Sequence, residues 1–196
     1  MRDLDRREFL GMAGGVAATA ATGGSRADGA APADPAGGLT EPEFRPLPLG
    51  AIRPTGWLER QLRIQAEGLT GHLDTFWPDV AESQWFGGRA EGWERAPYWL
   101  DGAIPLAWLI DEAALQSRLK RHVEHIVAHQ RADGWYAPYP TDAAARPYDP
   151  WAILLANKAL VQYHEATGER RVLEAVRRSL RALHEGLERA PLFDWG

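Results

Sequence analysis

One stretch of the sequence, Trp93–Trp108, constrains the fold more than any other. It reads WERAPYWLDGAIPLAW, and Pro97 indicates a helix start because proline lacks the N–H group that would have no partner there. The residues after Pro97 are apolar on most of the helix circumference, which is typical of a buried helix. Asp101 interrupts this apolar run. A polar group buried without a partner costs about 1–3 kcal/mol, so Asp101 needs hydrogen-bond donors or a wet cavity.

Hydrophobic periodicity predicts two helical hairpins in the second half of the chain. The first pairs Tyr98–Asp111, kinked at Pro105, with Ala114–Gln130, and the second pairs Pro150–Ala166 with Glu169–Glu188. In each hairpin the first helix is apolar nearly all round and the second is amphipathic. This alternation repeats at roughly 55 to 60 residues. A ring of buried inner helices and solvated outer helices would produce it, so we predict an all-α fold.

The two kinds of helix are expected to differ in burial. If the hairpins stack side by side, residues of the inner helices should be more buried than arginines of the outer helices. The inner set consists of Leu100, Ile104, Trp108, Ile153, Leu154 and Leu160. The outer set consists of Arg118, Arg121, Arg171 and Arg178.

The segments before the first hairpin are predicted from proline positions and apolar spacing. Phe44–Ile52 is extended because Pro46 and Pro48 exclude a helix. A helix then runs from Pro54 to about Leu69. Its buried face is supplied by Trp57, Leu58, Leu62, Ile64 and Leu69. Residues 70–96 are predicted to form a long, aromatic-rich loop, and loops of this length inside a compact domain are usually functional.

Rings and carboxylates cluster around the starts of the two apolar helices. This combination suits a sugar, because its apolar faces stack on aromatic rings and its hydroxyls need polar partners. Antiparallel pairing of the helices would bring these segments to one end of the hairpins. The candidate sugar-binding residues are Trp93, Glu94, Tyr98, Trp99, Asp101, Asp133, Trp135, Asp149 and Trp151. In the turn formed by residues 133–135, Gly134 is able to adopt a positive φ.

Structural roles compete with sugar binding at several of these positions. Arg95 could form a salt bridge with Glu94 or Asp101 that only pins the loop, and tryptophans beside a helix start are often core residues. Asp149 suits the N-cap of the helix that begins at Pro150, a role compatible with a sugar contact. Glycosidic-bond cleavage generally needs two flanking carboxyl groups, or one carboxyl and another nucleophile, and these residues do not identify such a pair.

Three histidines, His122, His125 and His129, lie three and four residues apart on one predicted helix, a spacing that metal ligands also use. The neighbouring Leu119 and Ile126 favour a different interpretation, in which His122 and His129 flank the buried stripe and His125 faces water. The chain has no cysteine, which excludes disulfides and thiolate zinc ligands. We therefore predict no metal site and no cofactor in this chain.

Composition narrows the class of partner. A chain of 196 residues that is 45% hydrophobic, with nine tryptophans, has ample material for one packed domain. Its net charge is −5, and the arginines are spread among glutamates along amphipathic helices. Because no basic stripe is available to follow a phosphate backbone, we expect no nucleic-acid partner.

The N-terminus resembles an export signal. Arg6-Arg7 followed by Phe9-Leu10 and a weakly apolar run at 11–22 is typical of the twin-arginine type, which we assign to residues 1–33. The run is not apolar enough for a membrane span, which needs about 20 strongly apolar residues. Residues 34–43 continue a linker rich in Gly, Ala and Pro that is predicted to be disordered. We expect a periplasmic or extracellular protein with no membrane contact beyond the export machinery.

Three motifs in order resemble the β-L-arabinofuranosidase family of glycoside hydrolases. They are the loop and helix at 93–108, QRADGWY at 130–136 and YDPW at 148–151. The resemblance covers roughly residue 47 to the end, and it implies an (α/α)6 toroid that hydrolyses glycosidic bonds in an oligosaccharide or glycan. Characterised members of the family use a zinc-held cysteine nucleophile with a glutamate acid. This chain departs from them by having no cysteine.

A complete toroid needs about twice the residues present, given helices and loops of ordinary length. The chain stops at 192–196 within an aromatic segment, so residues 44–196 are expected to be the truncated N-terminal part of the domain. Catalytic residues and any zinc site would then lie outside this chain, and the fragment alone should be inactive. Two alternatives stay open, an (α/α)6 polysaccharide lyase or uronyl hydrolase, and a non-catalytic sugar-binding fragment.

Overall fold

The computed structural model of the protein describes residues 43–138 and 150–189. These ranges contain α-helices and one 3-10 helix but no strand, which confirms the predicted all-α class. The α-helices are α1 (Gly56–Glu67), α2 (Leu69–Phe76), α3 (Pro78–Ala81), α4 (Arg95–Leu109), α5 (Ala113–Ala128), α6 (Pro150–Thr167) and α7 (Arg170–Arg189), and the 3-10 helix is Gln84–Phe86. None of the helices in these two ranges has the length and apolar composition of a membrane-spanning segment.

Several predicted features lie outside the described residues. These are the export signal with Arg6, Arg7, Phe9 and Leu10, the linker up to residue 42, Asp149 and the aromatic segment 192–196.

The two predicted hairpins are present, with helix ends shifted by a few residues. Helices α4 and α5 are joined by a short turn in which Asp111 has a φ of 56°. Helices α6 and α7 are joined through Gly168, whose φ is 72°. Glycine suits such a turn because it lacks the Cβ that disfavours left-handed backbone. Although Pro105 lies inside α4, the helix continues through it to Leu109.

The two apolar helices, α4 and α6, pack against each other in a parallel orientation. Lys158 Nζ lies 2.7 and 2.8 Å from the two carboxylate oxygens of Asp101. Further along both helices, the ring centroids of Trp108 and Tyr163 are 5.5 Å apart in an edge-to-face arrangement. The order of these contacts is the same along both helices, so their N-terminal ends lie at the same end of the structure.

The amphipathic helices, α5 and α7, are linked in the same way. Arg171 donates to Glu124 at 3.3 Å, and Gln130 at the end of α5 donates to the carbonyl of Ala175 at 2.8 Å. This order again indicates parallel helices. Each amphipathic helix also packs on the apolar helix of its own hairpin. The two hairpins therefore lie side by side, with their apolar helices in contact and their amphipathic helices in contact.

Burial follows the predicted division with two exceptions. The core residues of the apolar helices Leu100, Ile104, Ile153 and Leu160 are completely buried, and Trp108 is half-buried. Arg121, Arg171 and Arg178 are exposed, but the prediction is wrong for Arg118, whose side chain is only 23% exposed. The prediction is wrong for Leu154, which is 49% exposed. It shares one exposed helical face with Trp151 and Lys158, because positions three and four apart lie on the same side of a helix.

The region before α4 differs most from the sequence prediction. Residues 70–96 are not one long loop, since they contain most of α2, all of α3, the 3-10 helix and the start of α4. Helix α1 has no buried residue, and Trp57 and Ile64 are 70% and 59% exposed, so the predicted buried face is also wrong. Of that face, only Leu62 packs against the core. Apolar spacing predicted an amphipathic helix, but it could not show whether another element packs against the apolar face of that helix.

The turn after α5 connects the first hairpin to the second. Gly134 has a φ of 93°, as its residue type allowed, and a Cβ there would lie 2.5 Å from the carbonyl oxygen of Arg178. Beyond it, buried Tyr136 donates to Asn157, and Asn157 donates to Ser179 at 3.3 Å. Burial raises the pKa of Tyr136, so this hydroxyl stays a neutral donor. A buried polar chain thus joins the turn to α6 and α7.

We expect Tyr136→Phe to lower the free energy of unfolding by about 1–3 kcal/mol. The substitution removes the donor to the buried side-chain oxygen of Asn157. An unsatisfied buried acceptor destabilises the folded state, because it has lost its hydrogen bonds to water without gaining a protein partner. Tyr98→Phe is the matched control, because Tyr98 is 48% exposed and its change should stay within about 0.5 kcal/mol. Urea unfolding of both variants measures the difference. Equal effects would contradict the role of the buried chain.

Candidate functional site

A surface cavity of about 360 Å³ lies beside the first turns of α4. Its lining comes from α2, the α2–α3 junction and α4, and consists of Thr70, Leu73, Trp77, Glu94, Arg95, Tyr98, Trp99 and Gly102. Three aromatic rings, one carboxylate and one guanidinium therefore border the same space. The cavity includes the sequence-predicted residues Glu94, Tyr98 and Trp99. Cavities of this size that combine rings with a few polar groups are typical of small-molecule sites.

The aromatic residues of the cavity differ in accessibility. Tyr98 is 48% exposed, so much of its surface is open to solvent. Trp99 is only 5% exposed, and its indole N–H donates to the carbonyl of Thr70 at 2.7 Å. Trp77 is half-buried. Trp99 thus holds α2 against α4 and forms a wall, while Tyr98 and Trp77 offer more of their surface to a ligand.

Glu91 fixes the start of α4, a role that the sequence analysis missed. One of its carboxylate oxygens accepts from the backbone N–H groups of Trp93 and Glu94 at 2.8 and 2.9 Å. The other accepts from the N–H of Arg95 at 3.3 Å. The first N–H groups of a helix have no partner within the helix, so a carboxylate placed there satisfies them. The available signal was an acidic residue just before a predicted helix start.

A buried charged cluster holds α2, which forms one wall of the cavity, against α5. Asp74 is only 2% exposed at its side chain, and one of its oxygens accepts from Arg118 at 3.0 Å and contacts the His122 ring nitrogen at 3.2 Å. Arg118 also donates to the carbonyl of Gly71. Burial alone would raise the pKa of Asp74, but the hydrogen bond to His122 and the charge of Arg118 outweigh it and hold the pKa below its ordinary value.

The other two histidines of α5 are arranged differently from the prediction. His129 is exposed, whereas His125 is half-buried beside Gly87, so the predicted environments of these two residues are reversed. Their rings stack with centroids 3.9 Å apart. The pKa of His125 is lowered, mainly by burial and further by the charges of the neighbouring His129 and His122. In the described ranges, no three His, Asp or Glu side chains are grouped as metal ligands would be.

Asp101 does not line the cavity, although it lies on the same helix. Both of its oxygens accept from Lys158 on α6, which supplies the donors that an acid in an apolar helix requires. The expected alternative partner, Arg95, lies near Asp79 instead, at 3.9 Å. Trp151 is 50% exposed in the first turn of α6, at the same end of the hairpins as the cavity.

The remaining described candidates, Trp93, Asp133 and Trp135, do not line the cavity. Trp93 accepts from the indole of Trp85 at 2.8 Å through its carbonyl, and the Trp85 ring meets Tyr136 at 6.3 Å. Trp85 therefore joins the start of α4 to the turn after α5. In that turn, the Asp133 carboxylate accepts from the N–H of Trp135 and from Arg131. Trp135 itself is 4% exposed and packs in the core, so the described structure leaves it no open ring face.

No protein-family model, curated protein or solved structure matches this chain. The structure brings the start of α4, the turn after α5 and the first turn of α6 to one end of the two hairpins. It also adds Trp77 and Arg95, which the list of candidate residues did not include, to the lining of the cavity.

Proposed function

We propose that the protein is a carbohydrate-binding part of an (α/α)6 glycoside-hydrolase-like protein, and that the cavity beside α4 holds one sugar unit of a glycan. The observation that supports this most directly is the lining itself. The exposed ring of Tyr98 suits the apolar face of a sugar, while Glu94 accepts from hydroxyls and Arg95 donates to them.

The packing of the hairpins supports the toroid part of the proposal. In a ring of helical hairpins, neighbouring inner helices run parallel and so do neighbouring outer helices. The contacts of α4 with α6 and of α5 with α7 have that order. The N-terminal ends of α4 and α6 then lie at one end, which is where the cavity is. The fold by itself does not determine the chemistry, which depends on the side chains that line the cavity.

Binding, and not turnover, is the activity that we propose for these residues. Hydrolysis of a glycosidic bond generally uses two carboxyl groups on opposite sides of the bond. Among the residues that line the cavity, Glu94 is the only carboxylate. Asp101 accepts hydrogen bonds from Lys158 and does not line the cavity. In this proposal the cavity positions a sugar, and a catalytic pair would have to come from residues other than those lining it.

We expect millimolar binding of L-arabinose or a short arabinan, about 4 kcal/mol, without hydrolysis. Glu94→Gln removes a charged acceptor and should weaken binding about tenfold, since hydrogen bonds to charged groups contribute about 1.5–3 kcal/mol. Tyr98→Ala should have a similar effect by removing the exposed ring. NMR titration of the tryptophan indole signals measures both dissociation constants.

Trp57→Ala is the matched control, because Trp57 is a solvent-exposed aromatic on α1 that does not line the cavity. Its affinity for sugar should equal that of the wild type. If Trp57→Ala weakens binding as much as Tyr98→Ala does, the sugar is held elsewhere. If no sugar shifts the indole signals at any concentration up to its solubility limit, the proposed function is wrong.

A further inference from the structure

We infer that the sugar bound in this cavity is acidic, a uronic acid whose carboxylate is held by the guanidinium of Arg95. This inference rests on the proposed function, since it specifies the class of sugar for the same cavity. It starts from the placement of Arg95, which differs from that of the other arginines whose contacts are described.

The Arg95 guanidinium lies over an aromatic ring. Its central carbon lies 5.3 Å from the centroid of the Trp77 ring, within the range of a cation–π contact. A cation–π contact depends on the charge of the guanidinium and does not occupy its N–H groups as hydrogen bonds would. It also restricts the rotation of a long side chain, so less conformational entropy is lost when a ligand binds.

The guanidinium makes no side-chain hydrogen bond in the described part of the chain. Its ion-pair partner is Asp79, whose carboxylate oxygen lies 3.9 Å from Nε, which is too far for a hydrogen bond. Both side chains are also substantially exposed, at 51% and 38%. By contrast, Arg118 donates to Asp74 at 3.0 Å, and Arg53 donates to the carbonyl of Trp108 at 3.1 Å. Arg95 is thus a cavity arginine with its binding edge open.

A planar guanidinium binds a planar carboxylate through two parallel hydrogen bonds, which makes it selective for this group over a neutral hydroxymethyl. The opposite charge in the cavity, Glu94, complements this selection. Glu94 repels an anion placed against it and accepts from hydroxyls, so it favours the orientation with the acid group at Arg95. The exposed ring of Tyr98 then contacts an apolar face of the sugar. One donor group, one acceptor group and ring surface together specify a uronic acid in one orientation.

The test compares three ligands with the same ring: D-galacturonate, its methyl ester and D-galactose. For the wild-type protein we expect galacturonate to bind about tenfold more tightly than either neutral ligand, as measured by NMR titration of the tryptophan indole signals. Arg95→Gln should abolish this preference, so that galacturonate and galactose bind to this variant with equal affinity. Arg95→Lys should retain only part of the preference, because an ammonium group cannot form the two parallel bonds.

Arg178→Gln is the control for net charge, since Arg178 is an exposed arginine on α7 outside the cavity lining. It should keep the full preference for galacturonate. The inference is overturned if wild-type protein binds galactose as tightly as galacturonate, or if the preference survives in Arg95→Gln. In both of those outcomes the neutral sugar still binds, and the proposed function stands. Absence of binding by all three sugars, and by arabinose as well, would overturn both proposals together.

Discussion

Replacing Asp74 with alanine is expected to lower the free energy of unfolding by about 3–5 kcal/mol. The substitution removes the carboxylate that Arg118 and His122 share, and it leaves two largely buried donors without their acceptor. A loss of this size is a large part of the 5–15 kcal/mol that stabilises a typical domain. Urea unfolding monitored by tryptophan fluorescence measures it. The effect should extend to the cavity, because Asp74 holds α2, which carries Thr70 and Leu73 of the lining.

The matched control is Asp79→Ala, which removes a carboxylate only a few residues away. Asp79 is partly exposed and lies 3.9 Å from Arg95, so its loss should change stability by no more than about 0.5 kcal/mol. If the two alanine variants were equally stable, the cluster around Asp74 would contribute nothing beyond a surface ion pair.

The contribution of Asp74 should also depend on pH in a defined direction. Its pKa in the folded protein lies below the ordinary value of 3.8, so the folded state favours the ionised form. The resulting stability is fully present above about pH 4 and is lost as the pH falls through the folded-state pKa. The stability difference between wild type and Asp74→Ala should therefore narrow on acidification from pH 5 to pH 3. A difference that widened over that interval would contradict the sign of this coupling.

Replacing Leu160 with alanine is expected to cost about 2–5 kcal/mol of unfolding free energy. Leu160 is completely buried on α6, and shortening it removes apolar contacts and leaves a cavity that the close-packed helices cannot fill. Leu154→Ala on the same helix is the control, since Leu154 is 49% exposed and its truncation should stay within about 0.5 kcal/mol. Denaturant midpoints with unchanged m-values report the two stabilities.

The comparison of these two leucines also tests the orientation of α6. Hydrophobic periodicity alone treats Leu154 and Leu160 as equivalent residues of an apolar helix, and on that basis both should be costly to truncate. In the structure only Leu160 faces the core. A large effect of Leu154→Ala would mean that the face bearing Trp151, Leu154 and Lys158 is covered in solution.

The candidate site could be predicted only in part. The motif at the start of α4 identified Glu94, Tyr98 and Trp99, because rings and carboxylates beside a helix start are visible in the sequence. Trp77 and Thr70 could not be assigned to the same cavity, since they were placed in a long loop whose path was unknown. Helix α2 and the bond from Trp99 to Thr70 determine that these residues face α4. The contact between Arg95 and the Trp77 ring likewise depends on how the segment after α2 packs against α4.

The sequence by itself determined the local structure of this protein. Apolar spacing and Pro97 predicted the helices of both hairpins, and glycine at 134 and 168 permitted the positive φ angles of the turns. These features depend on a few consecutive residues, because periodicity and backbone freedom are properties of short segments. Only the tertiary structure decided which apolar faces are covered and which charges are paired. Asp101 meets Lys158, and Asp74 meets Arg118, because helices distant in the sequence pack together. Such packing depends on all the helices at once and cannot be read from any one of them.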